Sequence, residues 1–466
     1  MAGPRHPRGR TGPGWGAAGP VGLAAAVAIG VATRSWIVVV ASAVVVAVAG
    51  GRARPVVLVV LVVGCAVVRS DAAWDGLAPD HVGPYHGWSN VAAEPQRYPG
   101  GTRVLLDIEG ERHELWVRGR ARQQRVADWR AGDQVLVDGR REPLDHDRAQ
   151  RVAWQHVVAS FDLTWVGDRL PGGRIAVASN RVRVLIERGA STLSPDLSAL
   201  ARGLIIGDDR DQPPEMVQRF RDSGLAHLTA VSGQNVAFLL AAAGPLLART
   251  RPFTRWALSL ALIAWFVVLT RAEPSVLRAG TMAALGATAY ALGRPRDALR
   301  SLAVAVVALL LLDPLLAWSV GFWLSVGATA GVTGVGPHLA PRLRRLGPLA
   351  TPVAITLGAQ LGVAAPSLLV FGRLSLVGTL ANLVAVPVAG LVMLYGLPAC
   401  IVAGAVPATG PVVVAPVGWG TRWVDAVATV AARLEPPAPW SVIGWVVLVL
   451  TVAGVAVLGD RPGPLR

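Results

Sequence analysis

The sequence contains no lysine. Its 44 basic side chains other than histidine are all arginine, against 29 acidic residues, for a net charge of +15. Without lysine there is no G-x-x-x-x-G-K-[ST] phosphate loop, which excludes an ATPase of that type. The arginine bias is better explained by a GC-rich genome than by a binding requirement, although guanidinium is also the stronger phosphate ligand. Cysteine is almost absent. Cys65 and Cys400 both sit in apolar runs, which argues against a disulfide framework. None of the eight histidines falls in an H-x-H or H-E-x-x-H pattern, which removes the common zinc-hydrolase spacings. Any energy source is therefore another protein or an ion gradient. Charge itself is scarce: 16% of residues are charged, below the roughly 25% of soluble domains. Apolar residues make up 53%, and the mean hydropathy is +0.49. Together these exclude a disordered chain, a fibrous protein and an ordinary soluble enzyme, and they place the chain in a membrane.

The charge divides unevenly along the chain. Residues 1–70 carry +7, residues 71–185 are neutral, and residues 186–466 carry +8. The basic excess lies in the apolar parts, as positive-inside topology requires without any nucleic acid. Three regions follow. The first, 1–69, has a basic, Pro/Gly-rich head and then apolar runs at Gly16–Thr33, Trp36–Gly50 and Pro55–Val68. These read as three short spans, somewhat under the roughly 20 residues that cross a bilayer. The first run lacks a clean cleavage site before a soluble start, so it reads as a span rather than a leader. Arg5, Arg8 and Arg10 place the start in the cytoplasm, and residue 70 onward then lies outside.

The second region, 70–184, is soluble in character. Strand-like alternation in Arg103–Ile108, His113–Arg118 and Gln134–Asp138 is punctuated by Glu109-Gly110 and Gly132-Asp133. A small extracytoplasmic antiparallel β-barrel of OB type is expected. Such barrels bind single strands through aromatic platforms and cations. Trp116, Trp129 and Trp154, with Arg118, Arg120 and Arg122, are the candidate contacts. With no net charge on the domain, tryptophans in the barrel core and a solvated charged face are the favoured reading.

The third region, 185–466, reads as a polytopic α-helical bundle. Apolar segments fall at 256–270, 274–292, 302–312, 315–335, 349–370, 374–406 and 440–458. The run 374–406 is long for one span and contains Pro387 and Pro398, suggesting a re-entrant or kinked pair. Gly327 and Gly331 form a small-xxx-small pair that permits close helix approach.

Polar residues at apolar depth are costly and mark candidate sites. Ser232, Gly233, Gln234 and Asn235 interrupt a run that is otherwise apolar to Leu247. They offer donors and acceptors either to a polar solute or to neighbouring helices. Arg278 lies about one turn into the segment that begins at Pro274. It faces either a phosphate backbone or Glu273, with the Glu273 pair slightly favoured. Asp313-Pro314 reads as a helix terminus. The loop Gly207-Asp-Asp-Arg-Asp-Gln-Pro-Pro-Glu215 is acidic and reads as solvated rather than as a cation site. No metal, cofactor or catalytic residue is assigned.

Several segments together resemble the ComEC competence family. They are Ala201–Arg210, Phe220–Asn235, Glu273-Pro-Ser-Val-Leu-Arg-Ala279, Asp313-Pro314 with Gly321-Phe322, Ala359-Gln-Leu-Gly362, and Phe371–Pro387. They keep the family's order over roughly 195–390. The resemblance implies a channel that carries one strand of transforming DNA across the cytoplasmic membrane. It implies that Ser232, Gly233, Gln234, Asn235 and Arg278 line or shape the path, and that the OB-like domain receives DNA outside. The implied partners are single-stranded DNA, a DNA receptor, a cytoplasmic motor ATPase and the lipid bilayer. Many members carry a C-terminal metallo-β-lactamase-like domain, which this sequence lacks, so strand degradation is expected from a separate nuclease. Asn235 stands where the family often has His, and Trp323 where Gln often follows Gly321-Phe322. The competing expectation is a permease or flippase for another polar or anionic solute.

Overall fold

Three apolar helices, α1 (Ala18–Thr33), α2 (Trp36–Val48) and α3 (Ala53–Asp75), open a computed structural model that describes residues 18–48, 53–229, 233–294, 297–372 and 374–459. The expected span starting at 16 thus begins within the described residues at Ala18. Valine and alanine dominate these helices. Valine has low helix propensity in water, while in apolar surroundings a helix satisfies every backbone hydrogen bond within the segment.

The chain then enters a closed barrel: β1 (Gly83–Tyr98), β2 (Gly101–Ile108), β3 (Glu111–Val117), α4 (Arg120–Ala127), β4 (Gln134–Pro143), α5 (His146–Val152) and β5 (Val157–Leu170). The strands close in the order β1-β2-β3-β5-β4, with β3 and β5 parallel and the other pairs antiparallel. Five strands in a Greek-key closure are the architecture of an OB barrel. Inward residues such as Leu106, Ile108, Leu115, Val135 and Phe161 fill it, on the alternation visible in the sequence. Trp129 joins this core. The edge problem of an open sheet is removed by closure.

Past the barrel, α6 (Arg174–Ala190), α7 (Pro195–Ile206), α8 (Pro214–Asp222) and the short α9 (Ala226–Thr229) lead into the bundle. The bundle comprises α10 (Gly233–Leu247), α11 (Pro252–Leu269), α12 (Pro274–Ala291), α13 (Ala298–Leu312), α14 (Val320–Ala330), the short α15 (Gly336–Leu339), α16 (Ala350–Phe371), α17 (Val377–Ala405), the short α18 (Gly410–Val413), α19 (Ala415–Leu434) and α20 (Ala438–Gly459). Among the described residues, four helical stretches are long and apolar enough to cross a membrane: Val56–Asp75, Pro252–Leu269, Arg344–Phe371 and Val377–Ala405. Within the run 374–406, α17 is one continuous helix over Val377–Ala405 with both prolines inside it, rather than a re-entrant pair.

Glycines set the closest helix crossings. On α14, a Cβ at Gly327 or Gly331 would collide with the carbonyl of Gly362 or Gly358 on α16, and the reverse holds for α16. Two glycine pairs, each spaced by four, therefore face one another backbone to backbone. The last turn of this seam is a π-turn, Gly331–Val335. Likewise, α6 runs antiparallel against α17, with Gly189 on the Cys400 carbonyl and Gly404 on the Leu185 carbonyl. The N-terminal helices pack separately, α1 and α3 against α13 and α14, around Val27, Val63, Leu310 and Phe322.

Candidate functional site

Arg278 is the buried cation of the bundle. It lies on the second turn of α12 and is 5% exposed. Its Nε donates to Ser325 Oγ on α14 at 2.8 Å, and Nη1 lies 3.0 Å from Met282 Sδ one turn on. Among the described residues no carboxylate lies within 4.0 Å of it, and the expected pair with Glu273 does not form. Helix geometry explains this. Glu273 caps α12 in extended backbone, and residues five apart on a helix point to different sides. Glu273 is reached by solvent, yet protein on most sides pushes its carboxyl up to about 7, with Asp209 adding to the shift.

Gly233 starts α10 directly over Arg278. A Cβ there would strike the guanidinium and come within 2.8 Å of Ala279 Cβ, so only glycine permits this approach. Asn235 is buried, and Gln234 is exposed. Ser232 lies outside the described residues. Asn235 walls a cavity of about 40 Å³ with Ile205, Phe238, Phe266, Met393 and Leu397. This volume holds a few water molecules at most. The structure thus brings Gly233 and Arg278 together and adds Ser325, which the sequence reading missed. The available signal was a hydroxyl four residues after Gly321 in an apolar run. On α17, Thr379 and Asn382 are also buried, with Thr379 Oγ1 and Asn382 Oδ1 lacking hydrogen-bond partners among the described residues. Asn382 stood in a motif quoted above without being assigned a role.

The barrel does not gather the expected tryptophans and arginines. Trp129 is core, Trp154 is half-buried, and Trp116 is half-buried against Tyr98 at 5.4 Å between ring centroids. Arg118, Arg120 and Arg122 are exposed. The charges on β2 and β3 neutralise one another: Arg103 and Arg148 both bind Glu114, and Arg112 binds Asp107 at 2.8 Å. The exposed aromatics include instead Trp88 and Tyr98 on β1 and Trp165 on β5, with the His86 ring stacked 6.3 Å from Trp165. Alternation in Tyr85-His-Gly-Trp88 was the overlooked signal.

The loop 207–215 is solvated as expected at Asp209, Asp211 and Glu215, but not at Asp208. The Asp208 side chain has no exposure and receives Arg210 Nε at 2.7 Å and Arg202 Nη1 at 3.2 Å. Burial alone would raise its carboxyl, but Arg210, Arg183 and Arg202 outweigh that and hold it well below the usual carboxylate range. Arg202 also binds Asp211 at 2.7 Å, and Arg210 reaches Glu187 at 2.8 Å. Glu187 in turn takes both ends of the Arg130 guanidinium from the barrel. Glu94, also from the barrel, meets Arg183 at 3.2 Å, Arg210 at 3.0 Å and Arg271 at 2.6 Å. A buried ion-pair network therefore joins the barrel to α6, to the loop after α7 and to the α11–α12 turn. A separate tether pairs His156 Nε2 with Asp313 Oδ2 at 3.0 Å. Asp313 also accepts from Leu315 N, the helix-terminus role expected of it.

The segment that carries Gly233, Arg278, Ser325 and Asn382 is matched by a family model. The model, described as Competence protein, covers residues 204–461, more than half of the chain. This chain belongs to the Competence protein family. It is 28% identical over 237 residues to the uncharacterized protein YcaI of Escherichia coli strain K12, covering 48% of this chain and 31% of that protein. It is 29% identical over 201 residues to ComE operon protein 3 of Bacillus subtilis strain 168, covering 42% of this chain and 25% of that protein. The matched stretch thus spans a third or less of either relative. No solved structure matches the chain. The family match begins at Leu204, so it takes in Asp208 and Arg210 but leaves Glu94, Arg130 and the rest of the barrel outside.

Proposed function

We propose that the chain is a multi-pass protein of the cytoplasmic membrane that takes up single-stranded transforming DNA, with the barrel on the outer side. One observation carries this reading: Arg278, a buried cation with no carboxylate partner among the described residues, at the meeting of α10, α12 and α14. Family membership supports competence as the process. Burying a lone charge costs several kcal/mol unless something compensates it, and a polyanion passing through does so transiently. In this role Gly233 brings the α10 backbone onto the guanidinium, and Ser325 holds Nε so that the remaining donors face the path. Gln234 and Asn235 follow Gly233 on α10, and Ser232 joins them on the sequence alone. Trp116, Arg118 and Arg120 remain available as outer contacts. A DNA receptor, a cytoplasmic motor ATPase and a separate nuclease complete the pathway. The cavity of about 40 Å³ beside Asn235 is too small for a nucleotide, so a strand passing there requires α10 to part from α17.

A permease or flippase for another polar or anionic solute is the second reading, since the buried Arg278 guanidinium would serve a small anion as well as a phosphodiester. Uptake of labelled linear duplex DNA separates the two. In a deletion strain of a competent host, labelled DNA should stay bound outside with no label inside. Restoring Arg278→Ala at equal membrane level should leave internal label and transformants down by about tenfold or more, the scale of one charge-assisted contact. Unchanged internal label in the deletion strain rejects DNA transport and leaves the solute permease.

A further inference from the structure

The Glu94 carboxylate is surrounded by guanidinium groups. Oε1 accepts from Arg271 Nη2 at 2.6 Å and Oε2 from Arg183 Nη2 at 3.3 Å, while Arg183 Nε and Arg210 Nη1 lie 3.2 and 3.0 Å away as ion-pair contacts. These three arginines come from α6, from the loop after α7 and from the α11–α12 turn. The strand geometry delivers Glu94 there. The β1–β2 register slips on either side of Ala93, and such a bulge re-aims a side chain. Pro95 follows, with no N–H to hold the ladder.

We propose that Arg183, Arg210 and Arg271 form a binding site for a phosphate-type anion, a nucleic-acid phosphodiester, and that the barrel's Glu94 is an internal plug occupying it. The source of the ligand rests on the reading of the chain as a DNA conduit, while the anion chemistry does not. Three further observations carry the proposal. First, the cluster holds its anions through guanidinium groups throughout. Arg130, Arg183, Arg202, Arg210 and Arg271 are largely buried and meet Glu94, Asp208 and Glu187 inside, Asp133 beside Arg130 and the more exposed Asp211 on Arg202. A phosphodiester carries the same single negative charge as Glu94, so exchange preserves the balance. Second, Arg271 and Ala272 both hold left-handed backbone, φ 62° and 55°, with no glycine to permit it. Such strain persists where surrounding contacts enforce it and clusters at ligand clamps. Here Arg271 is enforced by Glu94, Ser179 and Asn180. Third, Arg271 lies in the turn that leads directly into α12, whose second turn carries Arg278. A strand leaving the barrel for the bundle meets the Glu94 cluster first and Arg278 next.

The test uses the purified full-length chain in lipid nanodiscs. Thermal unfolding is followed with inorganic phosphate against chloride at matched ionic strength. Phosphate should raise the midpoint of Glu94→Gln by about 2 °C or more beyond its effect on the unsubstituted chain. Adding Arg271→Ala to that variant should remove the gain. If Glu94→Gln does not fold, Glu94→Asp keeps the charge but withdraws it by one methylene, and the same phosphate response is expected. A response to phosphate no larger than to chloride in the folded variant overturns the site. Fluorescence anisotropy with a short oligodeoxythymidylate forms the second arm. Stabilisation by phosphate without oligonucleotide binding keeps the anion site and rejects DNA as its ligand. Oligonucleotide binding without a phosphate effect rejects the site and leaves the conduit reading standing.

Discussion

Gly233 and Arg278 show how one missing Cβ shapes a site. The guanidinium fills the space a side chain would take, so Gly233→Ala must displace it or push α10 away. The expected outcome is a marked loss of internalised DNA with near-normal protein in the membrane, scored by label uptake beside a quantitative blot. Arg278→Lys should not rescue, because a point ammonium cannot keep the Ser325 bond while presenting further donors in a plane. Both residues were legible in the sequence as polar interruptions of apolar runs. Their mutual contact was not, since 45 positions separate them and no spacing rule links α10 to α12. The Glu273–Arg278 expectation failed for the opposite reason: nearness in sequence was taken for nearness in space.

At the scale of elements, the glycine seam of α14 and α16 and the cap of α17 make separate predictions. Glu435 accepts from the Leu376 and Val377 amides at 2.8 and 2.9 Å and from Ser375 Oγ at 2.8 Å. It is a carboxylate from the end of α19 placed on the positive end of α17. Glu435→Ala should cost about 1 kcal/mol or more of helix-end stability, read as a lower unfolding midpoint of purified protein. In the seam, Gly358→Ala puts a methyl group into the Gly331 carbonyl. Overpacking of this kind costs about 1–3 kcal/mol, and the check is the yield of monodisperse protein after extraction, with Ala359→Gly as a control outside the glycine pairs. The sequence marked Gly327 and Gly331 but not their partners, because a four-residue glycine spacing says where a helix is smooth and not what lies against it. The barrel was more readable. Alternation in β2, β3 and β4 set its inward faces, whereas the bulge that turns Glu94 outward carries no period at all.

On the scale of the whole molecule, the barrel and the bundle are coupled through ionisation. Burial by itself would raise the Glu94 carboxyl, but Arg183, Arg210 and Arg271 hold it below the usual carboxylate range, as the arginines do for Asp208. Acids with depressed folded-state values add stability that is present above their unfolded values near 4 and is lost only as pH falls through the lower folded values. Docking of the barrel should therefore hold from neutral pH down to about 4 and weaken below it. Protease access to the segment between Leu170 and Arg174, followed against pH, measures this. Undocking already near pH 6 would contradict it. None of this network was visible beforehand. Glu94 lies more than a hundred residues before Asp208, and an acidic loop looks solvated until the arginines that meet it are in place.

The length of α17 bears on which membranes suit this protein. Its 29 residues extend about 43 Å at 1.5 Å per residue, while a bilayer offers about 30 Å of hydrocarbon. Crossing a bilayer as proposed above, a rod that long leans, and α6, α7 and α19, packed on its sides, lean with it. Bilayer thickness then acts as a mechanical input. Longer acyl chains should stand α17 upright and shorter ones flatten it, at fractions of a kcal/mol per Å. The acyl-chain length of the host's lipids would in this way set the slant of every helix that rests on α17.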